Sequence, residues 1–362
     1  MMKKQHLFLA VLVYIGAVLY LSITTPISPH EAKIFYTSSD IVSTLMHWGD
    51  NLIGGFLGLR FFFILLGFIT IGLFYELSRR YFAKREDAYL ATILFMFLPG
   101  ILTATTLVNV AILVLPLVLF FVLMYERGNL WSLPFVMLAL FFIHEASIIF
   151  FAALFLYAIV HKDKKLAIFS AAFLGAFIYL AKGIEIGGRP EGHFVEIFGL
   201  YASIFSPLLF LYFFYAMYRI FLRGEKSLLW HISFTALTLS LLLSIRQRIY
   251  ITDFGPYVMI AIILMLEIYN KSMRVRLPQF QKKYRISFGI AIAILVLSTS
   301  VMVFHKKLFY MSKNPDKHFA KRIYKPYLLA KELKSKGISC YDESYGRKRY
   351  QMLYYGIPHC DK

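Results

Sequence analysis

Long apolar runs broken by short polar stretches dominate this chain, and strict polar–apolar alternation is confined to short segments. A helix needs about 20 apolar residues to cross a bilayer, and fewer within a bundle. On that ruler about eleven crossings fall approximately at 6–24, 53–77, 88–106, 108–125, 131–143, 146–160, 166–182, 199–222, 228–244, 256–270 and 286–304. The fifth and sixth are short and flank His144-Glu145, so one long re-entrant unit is the alternative there. The pattern predicts an all-α polytopic membrane protein over residues 1–304 with a small exterior α/β domain at 305–362. In that tail Tyr327, Leu328, Ala330 and Leu333 fall on one face of a helix predicted at 326–336, which Gly337 ends at its C′ position. A short strand at 338–341 and a second helix at 346–355 follow. No internal repeat or low-complexity linker is present.

Composition sharpens this picture. The 362 residues are 59% hydrophobic and only 16% charged, against about 25% in a typical soluble domain. Lys and Arg number 39 against 20 Asp and Glu. These cations sit between apolar runs, which excludes nucleic acid as the partner and points to membrane topology and anionic headgroups. The basic start Met1–Lys4 and the apolar run to Ile23 have the layout of a signal peptide. No small-residue cleavage site closes it, and Pro26 and Pro29 follow, so it is expected to remain as the first span. One alternate set of loops collects Arg79, Arg80, Lys84, Arg85, Arg127, Lys162, Lys164, Lys165, Arg223 and Lys226, then the basic cluster from Lys271 to Arg285. The opposite set holds only Lys33, Lys182, Arg189, Arg246 and Arg248. By the positive-inside rule the N-terminus is cytoplasmic, and an odd number of spans places the tail outside. The tail is itself basic, which long exported segments tolerate. Cys340 and Cys360 both lie in it, as a disulfide in an oxidising compartment or as two thiols.

Chemistry-capable residues concentrate in the outward loops. His30-Glu31 follows the first span; Glu31 is a candidate general base, and the pair could contribute to holding a divalent metal, the one cofactor the sequence suggests. The bland reading is two solvated loop residues. His144-Glu145 interrupts an apolar stretch and either faces a cavity or marks a turn. The loop 182–196 carries Glu185, Arg189, Glu191, His193 and Glu196 around Gly187-Gly188, as a substrate loop or a plain connector. Arg246 and Arg248, beside Tyr250, suit a phosphate clamp because guanidinium grips phosphate oxygens in pairs; headgroup anchoring is the alternative. No Gly-rich nucleotide loop or dinucleotide fingerprint occurs.

Several of these segments, in order, resemble the polyprenyl-phosphate-dependent GT-C glycosyltransferases, among them bacterial relatives of protein O-mannosyltransferases and lipid A aminoarabinose transferases. His30-Glu31-Ala32-Lys33-Ile34-Phe35 stands where that family carries Asp-Glu-Ala-Tyr-Tyr-Trp. Trp48-Gly49-Asp50-Asn51, Leu59-Arg60-Phe61 and Arg79-Arg80-Tyr81-Phe82 look like the family's first loop and the two ends of its second span. Phe97-Leu98-Pro99-Gly100 resembles its Ser-Pro turn, and Arg248-Ile249-Tyr250 through Pro256 its late Arg-Tyr element. The likeness covers roughly residues 1–270. It departs at His30 and Asn109, where the family usually has Asp, and in a shorter first loop without His-Pro-Pro.

The resemblance implies a transferase at the outer face of the bacterial inner membrane. It would move a sugar from a polyprenyl-phosphate donor within the bilayer to an unidentified glycan, lipid or protein acceptor, with a periplasmic tail. Glu31 and His30 would then be catalytic or metal-binding. Arg248, Arg246, Tyr250, Lys33, Arg60, His144 and Glu145 would surround the substrate and its phosphate. A transporter or flippase of lipid-linked substrates, or an inactive relative serving as a membrane scaffold, is the alternative; transporters commonly carry internal repeats, and none is visible here.

Overall fold

The computed structural model describes residues 4–180, 192–341 and 346–360. Helices dominate them, and no strand occurs among the described residues. Lys4–Thr24, Gly55–Tyr81 and Pro278–Val303, of 21, 27 and 26 residues, are each long and apolar enough to cross a bilayer. At 1.5 Å per residue the shortest is about 31 Å long, which matches the hydrocarbon core. Three more apolar stretches are bent pairs, each a broken span or a re-entrant loop: Arg85–Met96 with Pro99–Thr106 at 61°, Phe194–Phe205 with Pro207–Arg223 at 107°, and Ile251–Met259 with Ile262–Val275 at 40°. Prolines account for the two sharpest bends. Pro99 and Pro207 each open a helix, and Ser206 before Pro207 takes a left-handed backbone at φ 85°. Four apolar helices, Ala111–Glu126, Leu130–Ile143, Ser147–His161 and Leu228–Ser244, are shorter.

By length and composition the eleven expected crossings thus correspond to three spans, or six if each bent pair counts as one, with shorter helices filling the remainder. Breaks at proline-bearing turns split runs that hydropathy alone reads as continuous. The expected run at 166–182 becomes the helix Lys164–Tyr179, and its last two residues lie outside the described ones.

The chain divides into two compact units. The first comprises Met1–Leu12, Leu66–Leu102 and Val110–Thr299. Ala111–Glu126 is buried on nearly every side at its centre, which is why its sequence is apolar all round rather than on one stripe. Hydroxyl-containing side chains tie neighbouring helices together: Ser233 Oγ donates to the Tyr257 carbonyl at 2.6 Å, and Tyr201 meets Ser240 at 2.8 Å.

The basic loops of this unit gather at one end. Tyr81 donates to Glu126 at 2.6 Å, Arg127 to Glu76 at 2.8 Å and Tyr125 to Asp163 at 2.9 Å. Loops assigned to the other side meet at the other end, where Gly192 N–H donates to the Ile245 carbonyl at 3.3 Å. Within this unit, the loops that these contacts join are loops placed together by their Lys and Arg positions.

The second unit comprises Val13–Leu65, Thr103–Asn109 and Ser300–Lys362. Within it the helices Ile41–Ile53 and Gly55–Tyr81 cross at Gly49 and Gly58. A Cβ at Gly49 would stand 2.2 Å from the Gly58 carbonyl oxygen, so no larger residue fits without separating the helices.

The tail forms the helices Lys321–Ser335 and Arg347–Tyr354, close to the expected ones, and Gly337 takes φ 71° after the first. The strand expected at 338–341 does not form. Tyr341 makes one isolated parallel bridge to His359, and among the described residues the tail holds helices and no strand. Cys340 and Cys360 form a disulfide. Ala330, Leu333, Met352 and Ile357 make a small core beneath it. The helix Arg347–Tyr354 lies over Pro29–Thr37, with Phe35 against Tyr354 and Tyr36 against Tyr350.

Candidate functional site

The segment after the first span folds as a short helix, Pro29–Thr37, whose start is over-determined. Ser28 caps it by accepting from the Glu31 amide at 3.2 Å, and Glu31 Oε2 accepts from the Ser28 amide at 2.8 Å. This capping box, Ser-x-x-Glu with proline at the first helical position, turns Glu31 back toward its own helix start; the expected loop is a helix here.

Glu31 and Arg60 are both fully buried and paired. Arg60 donates to Glu31 Oε1 and Oε2, each at 2.9 Å. Its other N–H groups go to the carbonyls of Ser22 at 3.0 Å, Thr25 at 2.7 Å and Pro26 at 3.2 Å. The Val108 amide donates to Glu31 Oε1 at 2.9 Å. A guanidinium has five N–H donors and a carboxylate about four lone-pair sites; both sets are used up. Burial raises the Glu31 carboxyl, but the Arg60 charge and the hydrogen bonds outweigh it and hold the group below its ordinary value.

Two expectations change here. Arg60 has no donor left for a phosphate, and Glu31 is a fully satisfied carboxylate with little basicity. Together they clasp the end of the first helix to the start of Pro29–Thr37. The Glu31 oxygens beside His30 all accept hydrogen bonds within the fold. No group of three or more His, Cys, Asp or Glu residues suited to a metal exists among the described residues.

His30 points instead to a cavity of about 920 Å³ built by its own segment and the tail. Lys321, Arg322, Lys325, Arg347 and Lys348 line it, against Asp316 and Glu332. Gln351 closes its floor by donating to the carbonyls of Ile27 at 2.8 Å and Arg322 at 3.1 Å. Desolvation in the cavity wall, then the Arg347 charge, hold the His30 imidazolium below its ordinary value, so the ring is neutral at pH 7. Sequence inspection missed these tail cations, because only the packing of Arg347–Tyr354 over Pro29–Thr37 brings them beside His30. Lys33 is exposed on the same helix.

In the other unit, His144 and Asp253 approach to 3.8 Å. The Ala146 amide donates to His144 Nδ1 at 3.0 Å, which leaves Nε2 as the protonated nitrogen facing Asp253. Glu145 is exposed beside it. Arg248, 76% exposed, lies 3.3 Å from Glu196, which also meets His193 at 3.2 Å. Arg246 and Tyr250 are exposed on the same loop. Thus His144, Glu196, Arg248 and Asp253, distant in sequence, gather at one end of this unit. Of the loop 182–196, residues 182–191, with Glu185, Arg189 and Glu191, lie outside the described residues.

The structure of ArnT from Cupriavidus metallidurans in the apo state superposes on this chain with a TM-score of 0.56, covering 97% of this chain and 74% of the other at 14% identity. The chain has the ArnT fold. A second structure, of ArnT bound to undecaprenyl phosphate, gives 0.55 over 98% of this chain and 86% of that one at 12% identity. No protein-family model and no curated protein sequence matches. The GT-C resemblance seen in the ordered motifs is thereby upheld as a fold, and the ArnT likeness extends through the tail, beyond the residues that carry the motifs.

Proposed function

We propose that this chain is a membrane glycosyltransferase that takes a sugar from a polyprenyl-phosphate donor at the outer face of a bacterial inner membrane. The observation that carries the reading is the ArnT fold over 97% of the chain, shared with a protein whose structure holds undecaprenyl phosphate. The basic cavity beside His30 supplies matching chemistry. Lys321, Arg322, Arg347 and Lys348 would offset the charge of a departing lipid phosphate. His30, neutral at physiological pH, would accept the proton of the acceptor hydroxyl as the anomeric bond to phosphate breaks. Glu31 and Arg60 would position His30 by fixing its helix. Arg248, Arg246 and Tyr250, with His144 and Glu145, remain a second polar group suited to a phosphate or headgroup.

The test is donor consumption in membranes containing the expressed chain. His30→Gln should abolish release of sugar from a polyprenyl-phosphate donor while leaving the protein folded; undiminished release would remove His30 from the chemistry. The saturated Glu31 and the Asn109 position favour an inactive scaffold as the second reading, and that reading predicts no consumption by the unaltered chain under any donor tried. A transporter would instead move the donor across vesicles with its sugar bond intact.

A further inference from the structure

At the end of the first unit that carries the basic loops, two cavities meet. One, of about 510 Å³, runs between the helices Pro207–Arg223, Ile262–Val275 and Pro278–Val303, with Tyr212, Tyr215, Tyr269 and Tyr284 in its wall. Tyr269 stacks on Phe288 at 4.1 Å to form its back. Leu211 and Tyr215, 57% and 43% exposed, open it sideways at the outer surface of the helices. The other cavity, of about 700 Å³, shares Tyr215 and is lined by Arg219, Arg223, Lys271 and Arg276, with Glu225 as its one carboxylate among the lining residues.

The basic end is prepared rather than merely charged. Arg219 is held by Ser272 at 2.6 Å. The Arg276 guanidinium lies 3.4 Å over the Tyr284 ring, and its buried Nε has no hydrogen-bond partner. The buried Tyr212 hydroxyl, in the apolar groove, also has none. Lys271 is paired with Glu267 at 2.6 Å, whereas Arg223 is exposed with no carboxylate partner among the described residues. An aromatic groove open to lipid, headed by guanidinium groups on the face that the charge rule assigns to the cytoplasm, matches an amphiphile with a chain and an anionic head.

We infer that this groove binds one anionic glycerophospholipid of the cytoplasmic leaflet, its acyl chain along Tyr212 and Tyr215 and its phosphate between Arg219, Arg223 and Arg276. This site uses none of the residues assigned to sugar transfer, so it stands or falls separately from that reading.

The experiment is native mass spectrometry of the detergent-purified full chain with equimolar phosphatidylglycerol and phosphatidylcholine of identical acyl chains. Preferential retention of phosphatidylglycerol is expected. Arg223→Gln with Arg276→Gln should lower that preference roughly twenty-five-fold, each cation contributing about fivefold. Should that pair fail to fold, Leu211→Trp fills the groove without touching the charges and should reduce retention of both lipids. Equal retention of the two lipids, or a preference unmoved by the paired substitution, overturns the site. Displacement by millimolar inorganic phosphate alone would show a free-anion site instead, and stronger retention of undecaprenyl phosphate than of phosphatidylglycerol would reassign the groove to the donor lipid. Either result also overturns the inference.

Discussion

Glu31→Gln is the most telling single substitution, because it keeps volume and shape while removing one charge from a pair in which both side chains have no exposure. In either orientation the Gln NH2 would face two donors, an Arg60 N–H and the backbone amide of Ser28 or of Val108. Arg60 would remain buried without its counter-charge. Breaking a buried pair from one side costs about 3–5 kcal/mol, which for a chain of this size corresponds to a fall of roughly 4–7 °C in melting midpoint. Arg60→Met should cost a comparable amount, leaving the carbonyls of Ser22, Thr25 and Pro26 without donors. Because the two residues share these partners, the double substitution should cost less than the sum of the singles by roughly 2–3 kcal/mol. The assay is loss of helical circular dichroism on heating in one mild detergent, for the four members of the cycle. Single substitutions within about 1 kcal/mol of the parent, or strict additivity, would refute the clasp.

The same pair sets a pH dependence. The folded Glu31 carboxyl lies below its unfolded value of 4.5, so its contribution is complete above that pH and is lost as pH falls through the folded value. Acid melts should therefore show a stability loss below about pH 4.5 that Glu31→Gln reduces; an identical acid limb in both proteins would contradict it. Ser28→Ala removes the helix cap and should cost about 1 kcal/mol in the same melts, with no change ruling the cap unimportant. Replacing both Cys340 and Cys360 by Ser opens a 20-residue separation and should destabilise the tail by about 3 kcal/mol, read as faster proteolysis near residue 340. Arg347→Gln should raise the His30 titration, followed by the pH profile of donor turnover; a profile that does not move would separate Arg347 from His30.

The membrane class, the positions of most helices and the grouping of loops by charge were determined by sequence alone. Each depends on a local quantity: the apolar length needed to cross lipid, or a count of cations between spans. The end of the tail helix at Gly337 is local as well. The tertiary structure decided the rest. Residues 31 and 60 are 29 positions apart, and only their packing shows that Arg60 spends its donors on Glu31 and three carbonyls instead of a phosphate. Lys321, Arg322, Arg347 and Lys348 look like tail charges until the helix Arg347–Tyr354 is laid over Pro29–Thr37 and turns them into the wall of a cavity beside His30. A sequence displays which groups are chargeable; whether a charge is consumed within the fold or left to meet a ligand depends on neighbours that only folding brings together.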